Sequence, residues 1–249
     1  MKKQLTFYFI RHGKTVWNTE GLMQGHGDSP LTEEGVNGAE KTGVALNHIP
    51  FVAAYSSVLK RTIATASHII GERDIPLFHH QGLNEQYFGT WEGQPVDTLR
   101  EHPEFQQLIK DPANYNAVSN RGETYEQLAE RAMKALDDII KVHNYGNILI
   151  VSHGHTLRLL LALLNGATWK NHRDEDKSVS LINASISVVH YDDKKGFDVE
   201  KISDNDMDKL AEKMADDYCN QLFWESMETI ASEILGFPKI EESNENRTD

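Results

Sequence analysis

The sequence predicts an α/β protein, a three-layer α/β/α sandwich around a mostly parallel central sheet, followed by a C-terminal helical extension. Short apolar, β-prone runs alternate along the chain with segments of helical period. One of those runs, Asn147 to Val151, is too apolar to face water on either side, as expected of a strand inside a parallel sheet. At 249 residues the chain is long enough for one sizeable domain with a full core, or for two small ones.

Taken in order, Leu5 to Ile10 reads as the first strand, with Arg11-His12-Gly13 where strand gives way to loop. Thr32 caps a helix that runs through Ala39, Val44 and Leu46. Phe51 to Ser56 is a second strand, and Leu59 to Ile70 an amphipathic helix with Leu59, Ile63, Ala66 and Ile70 on one face. A third strand is expected shortly before Glu85. Residues 84–121 lack a period and carry Pro95, Pro103 and Pro112, so loops with short helices are expected there. Thr124 to Gln127 fits a capping box that opens a helix through Leu128, Ala132, Leu136 and Ile139. After the strand at Asn147 to Val151 comes Ser152-His153-Gly154-His155, then an apolar helix over Leu157 to Leu164. Ser185 to Tyr191 and Phe197 to Ile202 read as two strands joined by a turn at Asp192 to Gly196. Residues 1–202 form the α/β domain in this reading. Residues 203–237 are a helical extension packed on or beside it, with Met207, Leu210, Met214, Tyr218 and Leu222 on one face. Residues 238–249 form a tail expected to be disordered.

The net charge of -13 is unevenly spread. Residues 203–249 hold 13 Asp/Glu against 4 Lys/Arg, a net of -9, which leaves only -4 for the first 202 residues. That part can still build a locally positive pocket. No basic stripe appears, so nucleic acid is excluded as a partner. No run of eighteen apolar residues exists, so no membrane span is expected, and Arg11-His12 ends the N-terminal apolar run too early for a signal peptide. The lone cysteine, Cys219, excludes an internal disulfide and a multi-cysteine metal site. A reduced, cytoplasmic protein is the expectation.

Two apolar strands end in the same way, Ile10-Arg11-His12-Gly13 and Val151-Ser152-His153-Gly154. In open α/β sheets ligands bind beyond the carboxyl ends of the strands. If the two strands are neighbours, His12 and His153 project into one crevice, and Gly13 and Gly154 let backbone approach a ligand. Arg11 and Arg61 offer planar forks that match phosphate oxygens, and Asn18 adds a neutral donor. A neutral imidazole is a competent nucleophile, and nearby arginines keep it neutral. Attack on phosphorus by His12 expels an alcohol, which needs a proton. Glu85 is the best placed carboxyl to give it, provided that burial beside a doubly negative substrate lets it hold that proton. His153, Arg11 and Arg61 stabilise the transferring group by charge, with no metal or other cofactor required. His153-Gly154-His155 also invites a metal-pair reading, but no carboxylate cluster accompanies it.

The segment Arg11-His12-Gly13-Lys14-Thr15 with Trp17-Asn18 resembles the signature of the histidine phosphatase superfamily, the phosphoglycerate mutase-like fold. The resemblance continues through Gln24-Gly25, Asp28 to Thr32, Ser56 to Arg61, Thr65-Ala66, Glu85 with Phe88-Gly89, Trp91-Glu92-Gly93, Gly122-Glu123-Thr124 and Ser152-His153-Gly154, in family order. It implies His12 as nucleophile, Glu85 as proton donor and Arg11, Arg61 and His153 as the rest of a phosphate pocket. Asn18 and the backbone amide of Gly154 are implied as further phosphate contacts. The implied reaction is hydrolysis of a small phosphomonoester through a covalent phosphohistidine. A cofactor-dependent phosphoglycerate mutase is the alternative within the enzyme class. Against it, the mutases resemble Glu-Arg-x-Tyr-Gly around the acid and carry paired arginines. This chain has Glu85-Gln86-Tyr87-Phe88-Gly89 and no adjacent arginine pair. An inactive phosphate-binding or interaction module is the alternative of another class, and the acidic C-terminal extension is then a partner surface, with a homodimer contact as the expected form. Arg100, Lys110 and Arg121 are the candidate anion contacts in the irregular region, Lys14 and His26 lie near the expected pocket, and Trp17 and Trp91 are expected to pack beside it.

Overall fold

A computed structural model of the chain describes residues 2–178 and 181–200. The chain divides into two compact units, Met1–Ile202 and Ser203–Asp249, and the described residues lie in the first. The expected helical extension and tail therefore lie outside them.

In chain order the elements are β1 (Gln4–Arg11), α1 (Val16–Glu20), α2 (Glu33–Ala45), β2 (Phe51–Ser56), α3 (Lys60–Ile70), β3 (Leu77–His79), α4 (Val96–Leu99), α5 (Pro103–Lys110), α6 (Tyr125–Val142), β4 (Tyr145–Ser152), α7 (Gly154–Leu164), β5 (Ile186–Asp192) and β6 (Gly196–Glu200). Short 3₁₀ turns at Gln81–Leu83 and Gly89–Trp91 flank Glu85. The six strands run in the order β3-β2-β4-β1-β5-β6. β1, β2, β3 and β4 are mutually parallel, whereas β5 and β6 return antiparallel as a hairpin at one end.

The alternation of side chains along the strands divides the core between two faces. Leu5, Phe7, Phe9, Ala53, Tyr55, Ile148 and Ile150 point to one face and pack with Leu136, Ile139, Leu157, Leu160 and Leu161 of α6 and α7. Ile10, Ala54, Leu149 and Val151 point to the other, where they are buried on the side of the α2–α3 pair. These are the three layers that the sequence predicts. Val44, read as a core position of α2, is 75% exposed, and Leu46 just past the helix end is buried instead. The caps hold as read: Thr32 accepts from Gly35 N, and Thr124 and Gln127 cap each other reciprocally. α1 escaped the pattern because it is one turn long; its signal is a second capping box, between Thr15 and Asn18. The irregular region builds a satellite core of its own, in which Phe88, Trp91, Leu99, Phe105, Leu108 and Tyr115 pack on Tyr125, Leu128 and Leu159.

The register of β1 and β4 positions the site. Arg11 lies opposite Ser152, and the ladder is extended by His12 N–H donating to Ser152 O at 2.9 Å. β2 ends level with them, with Ser57 N–H donating to Val151 O at 3.2 Å. Three loops thus leave the sheet at one edge.

Gly13 corrects an expectation. Its missing Cβ faces α2, where a methyl group would lie 2.5 Å from Gly35 O, so the glycine serves strand–helix packing and not ligand approach. Gly13→Ala is expected to lower stability by about 1–3 kcal/mol through overpacking. Gly38→Ala, whose Cβ would sit at an ordinary 3.5 Å from Ala184, is expected to raise it by about 0.5–1 kcal/mol. Urea denaturation midpoints of the two variants check this pair of opposite signs.

Candidate active site

His12 is held from both sides. Its ring is buried, and its backbone carbonyl accepts from Asn183 Nδ2 at 2.8 Å. Nδ1 lies 2.8 Å from Gly13 O, and a carbonyl only accepts, so the ring proton is on Nδ1 and the lone pair on Nε2 is free. Burial, and after it the charges of Arg61 and Arg11, hold the His12 pKa well below the ordinary histidine value. The ring is therefore neutral at pH 7, with burial ahead of the arginines that the sequence pointed to.

His153 faces it, with the ring centroids 5.2 Å apart. Its Nε2 is 2.8 Å from Ser57 Oγ, which in turn lies 2.6 Å from Thr62 Oγ1, while its Nδ1 is buried without a partner. His153 is likewise kept neutral, by burial first and then by Arg61. His155 turns elsewhere, its Nδ1 accepting from Arg173 at 3.1 Å, so the two histidines do not converge as a metal pair would.

Arg11 donates from Nη1 to Leu181 O at 2.6 Å, and its Nε is buried and unpartnered. Arg61, 1% exposed, uses Nη1 on Gly27 O and Asp28 Oδ1 and Nη2 on Gly25 O, again leaving Nε unpartnered. Its fork therefore shapes the 25–28 loop and presents one free Nε–H inward, less than the full two-point contact expected. Asp28 also caps α3, accepting from Lys60 N–H at 2.6 Å. Asn18 has its Oδ1 engaged with Thr15 in the α1 capping box, and its amide Nδ2 has no partner among the described residues. Gly154 opens α7. Its N–H has no partner among the described residues, and its missing Cβ leaves room for the Arg11 guanidinium at 3.3–3.4 Å.

Glu85 reaches the same helix end. Oε1 accepts from Thr156 N–H at 3.0 Å, Thr156 Oγ1 at 3.1 Å and Gln86 N–H at 3.0 Å; Oε2 accepts only from His155 N–H at 3.1 Å. An acidic group at a helix N-terminus is favourably placed, and Glu85 supplies from a distant loop the cap that His153 does not.

Several supporting residues were not singled out from the sequence. Arg131 donates to Gly82 O, Asn84 O and Glu85 O while paired with Glu123, which fixes the turn that carries Glu85. Glu92 accepts from His26, Gly27 and Phe88 N–H. Thr65 Oγ1 accepts from Gly13 N–H at 3.0 Å. The Gly122-Glu123-Thr124 and Trp91-Glu92-Gly93 motifs carried a signal for the first two. Of the other candidates, Lys14 pairs with Glu34 at 2.6 Å, and Arg100 with Asp97 at 3.4 Å. His26 Nε2–H donates to Glu85 O at 2.9 Å. Trp91, expected beside the pocket, is buried in the satellite core.

Residues 7–205 match the family described as the histidine phosphatase superfamily (branch 1). The chain belongs to that superfamily. Within the histidine phosphatases it is 32% identical over 183 residues to the adenosylcobalamin/alpha-ribazole phosphatase of Escherichia coli K12, covering 69% of this chain and 86% of that one. It is 35% identical over 156 residues to a 2,3-bisphosphoglycerate-dependent phosphoglycerate mutase of Cytophaga hutchinsonii, covering 61% and 73%. The solved structure of Bacillus stearothermophilus YhfR superposes with a TM-score of 0.73 at 31% identity, covering 80% of this chain and 98% of that one. The fold expected of a histidine phosphatase is thus the fold observed. Among the described residues no helix is long and apolar enough to cross a membrane.

Among the described residues five histidines, His12, His143, His153, His155 and His172, have lowered pKa values, His172 to about 4, with burial the largest cause in each. The unfolded chain protonates them near 6.5, so as pH falls below that value unfolding takes up protons and stability drops. Each but the partly buried His143 contributes a loss of about 1.4 kcal/mol per pH unit until its folded pKa is reached, which for His172 closes the window near 4. Denaturant midpoints are expected to fall steeply between pH 6 and pH 5, and the fall is expected to be shallower in His172→Gln.

Proposed function

We propose that the chain hydrolyses a small phosphomonoester through a phosphohistidine on Nε2 of His12. The observation that carries this reading is that Arg11 Nε, Arg61 Nε and His153 Nδ1 are buried without partners among the described residues, while both arginines lower the pKa of His12, whose Nδ1 holds the ring proton. Buried donors left unpaired are costly, and a phosphoryl group supplies the missing acceptors.

In the first step the Nε2 lone pair attacks phosphorus and the bond from phosphorus to the ester oxygen breaks. The leaving oxygen takes the proton of Glu85, so an alcohol departs. The transferring oxygens lie against Arg11 Nε–H, Arg61 Nε–H, the Gly154 N–H and Asn18 Nδ2. With Ser57 Oγ donating to its Nε2, His153 carries its proton on Nδ1 and adds a further donor. In the second step Glu85, now a carboxylate, takes a proton from water as the water oxygen attacks phosphorus. The P–N bond breaks, His12 is restored and inorganic phosphate leaves. All of these groups act by position and charge.

The similarity to a phosphoglycerate mutase favours a second reading, in which a substrate hydroxyl replaces water in the second step. Glu85-Gln86-Tyr87-Phe88-Gly89 and the lack of adjacent arginines speak for water. The test is turnover of p-nitrophenyl phosphate, with and without EDTA, by wild type and His12→Ala, alongside phosphoglycerate isomerisation. Turnover that resists EDTA and vanishes in His12→Ala is expected; turnover that survives in the variant contradicts the proposal, and isomerisation without hydrolysis favours the mutase. Glu85→Gln is expected to lower kcat by about 10²–10⁴-fold on an alkyl phosphate, whose leaving group needs a proton. The loss on p-nitrophenyl phosphate is expected to be much smaller. Equal losses on the two would remove Glu85 from the role of acid.

A further inference from the structure

One group of cations is left unused by this mechanism. Arg158 stands one turn after Gly154 on α7, alone among Leu157, Leu159, Leu160 and Leu161. Side chains of a helix tilt toward its N-terminus, so Arg158 leans back toward the pocket end of α7. Its Nε is buried and unpartnered, and its guanidinium makes no hydrogen bond among the described residues. Arg173, from the loop after α7, donates from Nε to Tyr125 Oη at 2.9 Å and from Nη2 to His155 Nδ1 at 3.1 Å. Neither arginine meets a carboxylate among the described residues, in contrast to Arg61, Arg100 and Arg131.

A structural arginine spends its donors on the protein. Arg73 does so here, donating to Leu46 O, Ile69 O and Ile70 O. Arg158 does not, and Arg173 adds a second charge with no counter-ion among the described residues. Arg173 and, more weakly, Arg11 of the phosphoryl pocket disfavour the charge of Arg158, while Tyr125 and then Glu85 favour it. His155 adds a donor. Its Nδ1 accepts from Arg173, so its proton is on Nε2, and its burial keeps it a neutral N–H donor. The backbone of His155 meanwhile holds Glu85, so the two places share the first turn of α7.

We propose that Arg158, Arg173 and the His155 Nε2–H form a second anion subsite beside the phosphoryl pocket, for a carboxylate or second phosphoryl group of the same substrate. This rests on reading the main pocket as a phosphoester site, and it narrows the substrate class to phosphomonoesters that carry another anionic group. The lone charge inside an otherwise apolar helix was its signal in the sequence.

The test uses the full chain and three probes: 3-phosphoglycerate, with a carboxylate; propane-1,3-diol bisphosphate, with a second phosphoryl; and glycerol 3-phosphate, with neither. Wild type is expected to favour one of the first two over glycerol 3-phosphate in kcat/KM by about tenfold or more, and which one it favours identifies the anion. Arg158→Met and Arg173→Met are expected to bring that ratio close to one, with thermal melts confirming that both fold. A wild-type ratio near one, or a ratio that both variants keep, overturns the subsite. If none of the three is hydrolysed, the phosphatase reading fails separately. Calorimetric titration of the same probes then decides the subsite, which stands if the acidic probe binds wild type at least about tenfold tighter than either variant and falls if the affinities are equal.

Discussion

The parallel pairing of β1 with β4, with Arg11 level with Ser152, is the constraint on which the site depends. Parallel neighbours end at the same edge of the sheet, so the residues that follow them emerge side by side. That brings the His12 and His153 rings together edge to face, their centroids 5.2 Å apart, although 140 residues separate them in the chain. The tight packing of Gly13 on Gly35 and the Gly13 N–H bond to Thr65 then fix where β1 ends against the helix layer. The apolar runs that make the two strands serve the core and aim the chemistry at once.

The N-terminus of α7 is the second organising feature. Its first N–H groups are divided: those of His155 and Thr156 hold Glu85, while that of Gly154 has no partner among the described residues. The Glu85 carboxyl and the free end of α7 are thereby tied to one turn. Arg131 secures the other end of the Glu85 loop through three carbonyls. The electrostatics follow from burial: both histidines are held neutral because their rings are buried, and the arginines add to the effect.

Much of this was legible in the sequence because it is written in local signals. The strand runs, the capping residues Thr32 and Thr124, and the two strand-end histidines each announce themselves within a few positions. The irregular region was not legible, since its apolar residues obey no period and are buried by a satellite core assembled from a 3₁₀ turn and short helices. Gly13 was assigned to the ligand and belongs to packing with α2, a contact between residues 22 positions apart that no local pattern reveals. Arg61 looked like a pure phosphate fork, yet most of its donors hold the backbone of residues 25–28. Arg173 has no signature in the chain at all; only the fold brings it to Tyr125 and His155.

A covalent phosphate on His12, the intermediate proposed above, can be trapped by rapid quench. Wild type mixed with a phosphomonoester and stopped in alkali, followed by peptide mass spectrometry, is expected to show phosphate on the peptide that contains His12. That label should be stable in alkali, labile in acid and absent from His12→Ala. Turnover at full rate with no phosphorylated His12 peptide, or with the label on another residue, would contradict the account.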